Sequence, residues 1–188
     1  RRARCKGQNT QDRYRDLLYQ GSSGRRHGSN DTQIVEGLMA DSMRQQICTA
    51  IDTRLKTILV SGGYETNAGS NVYEFWDIAL EEDELPGIIW RDGTEESEML
   101  VTSTQDRRVN IDLTLMASGA TAPSILRKMI ADIEKAINVD YTWGGLAIFT
   151  NAVNIIDTFQ VEHKDRRIGA CRARFTILYR TGYLDSYT

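Results

Sequence analysis

With 188 residues, 40% hydrophobic and 26% charged, the chain has the composition of one globular domain, made in the cytosol and large enough for a real core. No run approaches the roughly 18 apolar residues of a membrane span, and no apolar stretch follows the Arg-rich start as a signal peptide would require. The formal charge of −3 is uneven, because residues 1–32 carry eight basic against three acidic residues, a net of +5 that leaves −8 on the remainder; an acidic body argues against a general nucleic-acid binder.

Residues 1–32 read as a basic leader, separate from a single domain over 33–188. The leader is poor in aliphatic residues and ends in the Gly/Ser/Arg cluster 21–30, so it buries too little apolar surface to offset its own ordering entropy. It is either a stretch that does not belong to the native domain, with Met39 or Met43 as the true start, or an arm that touches DNA or a neighbouring subunit. His27 lies in it and receives no role.

From Gln33 to Leu59 apolar residues recur at helical spacing, with a possible start as late as Asp41 and a stop at Ser61-Gly62-Gly63. Asn71–Leu80, rich in aromatic and β-branched residues, predicts a strand. The acidic run Glu81-Glu82-Asp83-Glu84 predicts a solvated turn or loop. Pro86–Arg91 predicts a short strand turned by Asp92-Gly93, after which 98–104 and 108–117 pair across Gln105-Asp106-Arg107. Val109, Ile111, Leu113 and Leu115 alternate with Asn110, Asp112 and Thr114, the pattern of a half-buried strand.

Pro123 suits a first helical turn, and Ile125, Leu126, Met129, Ile130, Ile133, Ala136 and Ile137 make an apolar stripe over Ser124–Asn138. Arg127, Lys128, Asp132, Glu134 and Lys135 are assigned to the opposite, solvated side. Tyr141–Ala147 reads as a turn. Two long strands, 152–162 and 168–181, close the chain as a hairpin through 163–167. In the last strand Cys171, Ala173, Phe175, Ile177 and Tyr179 face one way, and Arg172, Arg174, Thr176 and Arg180 the other. The expectation is an α+β fold: a mainly antiparallel sheet with two helices packed on one face, plus a β-hairpin.

Catalytic or metal chemistry finds little support in these residues. Cys5, Cys48 and Cys171 lack metal-site spacing and read as free thiols, the last two as small core hydrophobes. Gly62-Gly63 and Gly144-Gly145 are turn glycines, without the pattern of a phosphate loop. His163 with Asp157 or Asp165 could form a dyad, but no nucleophile motif accompanies it. The acidic cluster Glu81–Glu84, and Glu95-Glu96 with Glu98, lack the alternate spacing of a calcium loop. Arg166, Arg167, Arg172, Arg174 and Arg180 could bind phosphate or pair with acidic loops of an adjacent copy, and the acidic body favours the second.

The order of several segments carries a resemblance. Met43-Arg44-Gln45-Gln46-Ile47 is followed by Gly63-Tyr64-Glu65-Thr66-Asn67-Ala68-Gly69, by Leu85-Pro86-Gly87-Ile88-Ile89 and by Arg107-Arg108-Val109-Asn110-Ile111. The helix Met129–Ile137 then leads to Trp143-Gly144-Gly145-Leu146-Ala147, and Phe175–Thr181 closes the series. This series, over roughly 43–181, resembles the tail terminator (tail completion) proteins of long-tailed phages. The resemblance implies a virion structural protein, not an enzyme, with no cofactor. It implies a homohexameric ring that caps the tail tube, ends polymerisation of the tube protein and meets head completion or connector proteins. The basic leader departs from that family's pattern.

A ring needs heterologous contacts, one patch meeting a different patch on the neighbour. The expected patches are the acidic loop Glu81, Glu82, Asp83 and Glu84, a 94–107 hairpin loop with Glu95, Glu96, Glu98 and Arg107, and the arginines of the last hairpin. Asp112 or the 95–98 glutamates are expected to face a lumen through which DNA passes without specific binding. Another neck or tube component, such as a head-closure or tube protein, is the nearest alternative, and a small hydrolase a more distant one.

Overall fold

In a computed structural model, which describes residues 41–101, 103–163 and 166–187, with side chains at 100, 101, 161–163, 166 and 167 left aside, the first helix, α1, runs over Met43–Leu55. The leader 1–32 and the proposed helical residues 33–40 lie outside the described residues. Ser42 caps α1 by accepting from the Gln45 amide at 3.2 Å, which satisfies one of the orphan donors of the first turn. Ile47, Cys48, Ile51 and Leu55 form its buried stripe. The helix ends before the predicted Leu59, because the amides of Thr57 and Ile58 bond three residues back, to Arg54 and Leu55, and tighten the chain. Gly69 packs onto this tightened turn. A Cβ there would sit 2.7 Å from the Leu55 carbonyl oxygen and 2.8 Å from the Ile58 amide nitrogen, so only glycine allows the approach.

The predicted strand over Asn71–Leu80 is a misreading for most of its length. Only Val72–Glu74 is extended, as β1, pairing in parallel with the next strand. Phe75 takes φ 53, donates its amide to the Trp90 carbonyl and turns the chain out of the sheet. Residues 76–80 then cross the sheet, and Leu80 is buried there with Ile89 and Met116. Of the apolar residues that suggested a strand, Leu80 is thus buried on a second face, whereas Phe75, Trp76 and Ile78 remain exposed. The acidic run is a turn, with Glu82 and Asp83 exposed: Glu82–Glu84 is a 3-10 turn in which Glu81 and Glu84 cap each other, and Glu84 accepts from the Tyr73 hydroxyl at 2.9 Å.

Strands β2, Gly87–Val101, and β3, Thr104–Ser118, form one long hairpin. Asp92-Gly93 is a bulge inside β2 and not a turn, since pairing with β3 resumes at Glu95 opposite Val109. The supposed loop 94–107 is therefore two paired strand arms. A bulge accommodates an extra residue without ending the ladder, which is why the Asp-Gly signal misled.

Helix α2 spans Ala122–Val139 with Pro123 in its first turn, slightly longer than the expected 124–138. In the turn that follows, Trp143, Gly144 and Gly145 all have positive φ, and the Asp140 carboxylate accepts from the Thr142 hydroxyl and amide and from the Gly144 amide. These bonds hold its pKa below the usual carboxylate range. Trp143 is buried against Phe175 and donates its indole N–H to Thr150 at 2.8 Å. The Trp-Gly-Gly segment is thus a core plug. A short strand that the periodicity missed, β4 (Phe149–Thr150), precedes β5 (Asn154–His163) and β6 (Arg166–Gly182).

The sheet order is β1-β2-β3-β6-β4, with β5 also paired to β6 on the side of β4. Every pairing but β1 with β2 is antiparallel, so the expected α+β architecture is observed. Both helices pack on the face formed by Ile88, Trp90, alternate β3 residues Val109–Ala117, and Cys171, Ala173, Phe175, Ile177 and Tyr179. The opposite face, called the open face below, is covered only in part, by the cluster around Leu80 and Phe159.

Cys48 and Cys171 are buried and unpaired. Burial pushes the Cys48 thiol up to about 12 and raises Cys171 too. The thiolate is the reactive form, so mapped alkylation at pH 8 is expected to leave both unmodified in the folded protein and to reach both in denaturant. Rapid native labelling of either would contradict this core.

Candidate interaction surfaces

Period-two alternation sends Asp112, Thr114, Arg172 and Arg174 to the open face, and strand pairing sets basic opposite acidic residues there. Arg174 donates to Asp112 at 2.6 Å, and Arg180 to Asp106 at 2.7 Å. These contacts raise the pKa of both arginines, the hydrogen bond contributing more than the charge alone. Arg172 lies 3.8 Å from Asp157 and 4.7 Å above the Phe159 ring. Arg91 reaches Asp77 at 3.3 Å, and Arg108 reaches Glu98 at 3.6 Å. The acidic partners of the arginine row are therefore cross-strand neighbours in the same chain. The side chains of Arg166, Arg167 and His163 lie outside those described.

Glu95 occupies a different place from Glu96 and Glu98. It points to the helix side, where it accepts from the Tyr179 hydroxyl at 2.5 Å and from Arg107 at 2.7 Å. Arg107 also donates to Thr181 at 3.1 Å. Arg44 from α1 binds Asp92 at 2.6 Å and approaches Glu95 at 3.6 Å. Burial alone would lower the Arg44 pKa, but Asp92 and Glu95 more than offset that and raise it; the Tyr179 phenol rises through burial first and Glu95 second. This network ties α1 to three strands. Glu95 and Arg107 are internal ties, and Glu96 and Glu98 are the exposed carboxylates of the arm.

On the open face a groove of about 550 Å³ runs between residues 76–79 and β5, floored by β3 and β6. Trp76, Ile78 and Ile156 stand exposed around it. A second groove, about 400 Å³, lies on the helix side of β5, between Leu126, Ile130, Ile155 and Thr158. Elsewhere Val139, Tyr141, Ile148 and Phe149 expose apolar surface at the end of α2, with the Tyr141 and Phe149 rings edge to face at 6.1 Å. Among the described residues, no three His, Cys, Asp or Glu side chains gather as a metal site requires. No helix among them is long and apolar enough to cross a membrane.

Sequence reasoning missed two features of these surfaces. The adjacent Ile155 and Ile156, 57% and 52% exposed, both escape the core because a register shift in β5 follows Ile155. Asp132, assigned to the solvated side of α2, is buried. Its position three residues after Met129 and one before Ile133 placed it on the buried stripe by helical spacing alone.

Fold and surfaces define an α+β domain with a six-stranded mixed sheet, two helices on one face and exposed apolar patches on separate edges. No protein-family model matches the chain, and no curated protein matches it.

Proposed function

We propose that this chain is a virion structural protein of the tail-terminator type. It assembles as a ring on the end of the tail tube, stops addition of tube protein and offers a joining surface to head completion proteins. It acts by contact, with no catalytic step and no cofactor. The observation that carries this reading is the presence of apolar surface in separate places, around β5 and at the end of α2. A ring subunit meets its two neighbours through unlike patches and the tube through another, and contiguous exposed apolar surface marks such contacts. The ordered series of segments from Met43 to Thr181 supports the same conclusion.

The open face suits a channel through which DNA slides. Arg91, Arg108, Arg172, Arg174 and Arg180 each meet a carboxylate of their own chain, so these five do not present an unneutralised basic stripe to phosphates. Asp112, Glu96 and Glu98 stand on that face. The mass of the purified full chain, with and without tail tubes, tests the reading. A hexamer, or a monomer that becomes a ring on tube ends, is the expected result. Binding along tubes or to portal complexes would place the chain among other neck components, and a monomer indifferent to tubes would overturn the proposal.

A further inference from the structure

Beside the short outer strands β1 and β4, two longer stretches of sheet edge lack a strand partner among the described residues. One is β2 beyond Trp90, where β1 has already left. The other is the outer side of β5, which pairs only with β6. An unpaired edge presents a row of amide and carbonyl groups that favours addition of another strand, and proteins blunt such edges with charge or proline when they must stay free. The β5 edge carries Asp157 and a register shift after Ile155, yet Ile155 and Ile156 are exposed on it and a groove opens on each of its faces. A strand added there sends alternate side chains into the two grooves.

We propose that the outer edge of β5 pairs head to tail with the free edge of β2 in a second copy of this chain. The inference rests on the ring reading above and names its subunit junction. Strand sense supports it. Because β2, β3, β6 and β5 are successively antiparallel, β5 runs opposite to β2. Copies arranged in one orientation about a ring axis therefore meet β5 to β2 as an antiparallel pair, and their helix faces stay on one side. The stagger between the edges, β2 92–101 level with β6 175–182 and β5 level with β6 166–174, calls for strands inclined to the ring axis, as closed sheets have.

On the open face the groove's arginines already meet Asp77, Asp112 and Asp157 of their own chain, so the side-chain match lies on the helix side. The helix-side groove, lined by Leu126, Ile130 and Ile155, receives Met99, which is 59% exposed in the single chain.

The test uses two full-length variants that each block one edge. Ile155→Lys with Ile156→Lys blocks β5, and Ser97→Lys with Met99→Lys blocks β2; all four positions are exposed. Each variant alone is expected to lose assembly under conditions where the unmodified chain assembles. Their equimolar mixture is expected to give a species of two chains and no larger one, because one intact junction remains. Either variant assembling alone, or a mixture that stays monomeric, overturns the proposal while leaving the ring reading standing. An unmodified chain that never assembles removes both. Should a variant fail to fold, Met99→Cys and Thr158→Cys in separate chains, in a Cys5→Ser background, are expected to cross-link. Absence of that cross-link in assembled protein also overturns the pairing.

Discussion

Replacing Asp132 by alanine is expected to cost about 3 kcal/mol of folding stability, since each buried polar group left unpaired costs about 1–3 kcal/mol. Asp132 sits on α2 with only 2% of its surface exposed. One carboxylate oxygen accepts from the Glu65 amide at 3.0 Å; the other accepts from the Thr66 amide at 2.9 Å and the Thr66 hydroxyl at 2.7 Å. Alanine would leave the buried amide and hydroxyl of Thr66 without this partner, and the Glu65 amide at the edge of the site as well. The loss reaches beyond the bonds themselves, because residues 65 and 66 lead directly into the Ala68-Gly69 turn that packs on the end of α1. Asparagine at 132 keeps one acceptor oxygen but sets an N–H group against N–H donors, so it is expected to recover less than half of the loss. Urea unfolding measures both, through a lower midpoint at unchanged slope. A loss below about 1 kcal/mol for the alanine variant would show that the loop does not depend on this carboxylate.

Trp90 is the second position where a single substitution should be severe. It is the largest fully buried side chain, facing the helices from β2, and alanine is expected to cost about 3–5 kcal/mol through lost burial and the cavity left behind. Its indole N–H has no acceptor among the described residues, and a buried donor without a partner is itself costly. Phenylalanine removes that donor along with part of the ring. It is therefore expected to cost about 1 kcal/mol, well below the alanine variant. Equal losses for the two would mean that the indole N–H contributes a bond after all. For a domain whose whole stability is on the order of 5–15 kcal/mol, either of the large substitutions is enough to alter the yield of folded protein.

Both cases concern groups that set where the surfaces lie. Asp132 holds the loop behind α1, and Trp90 anchors β2 at the point where β1 leaves and the free edge begins. A change in oligomeric state caused by these variants would follow from lost folding, whereas the lysine variants at 97, 99, 155 and 156 act on exposed side chains and separate assembly from stability.

Local periodicity determined much of this protein. The alternation in Val109–Leu115 and Cys171–Tyr179 identified the sheet's core face residue by residue, and the stripe from Ile125 to Ile137 located α2. Such patterns are legible because burying one face imposes its spacing on the chain itself. Tertiary structure alone decided the rest. The segment after Glu74 leaves the sheet; its Leu80 is buried on the open face against Ile89 and Met116, while Phe75, Trp76 and Ile78 stay exposed. Asp92-Gly93 bulges instead of turning, since β3 supplies a ladder on both sides of it. The arginines of β6 find Asp106, Asp112 and Asp157 across strands. Asp132 is buried because Glu65 and Thr66, more than sixty residues earlier, bring it donors. Register and polar pairing depend on residues far apart in the chain, and no local pattern records which distant groups will meet.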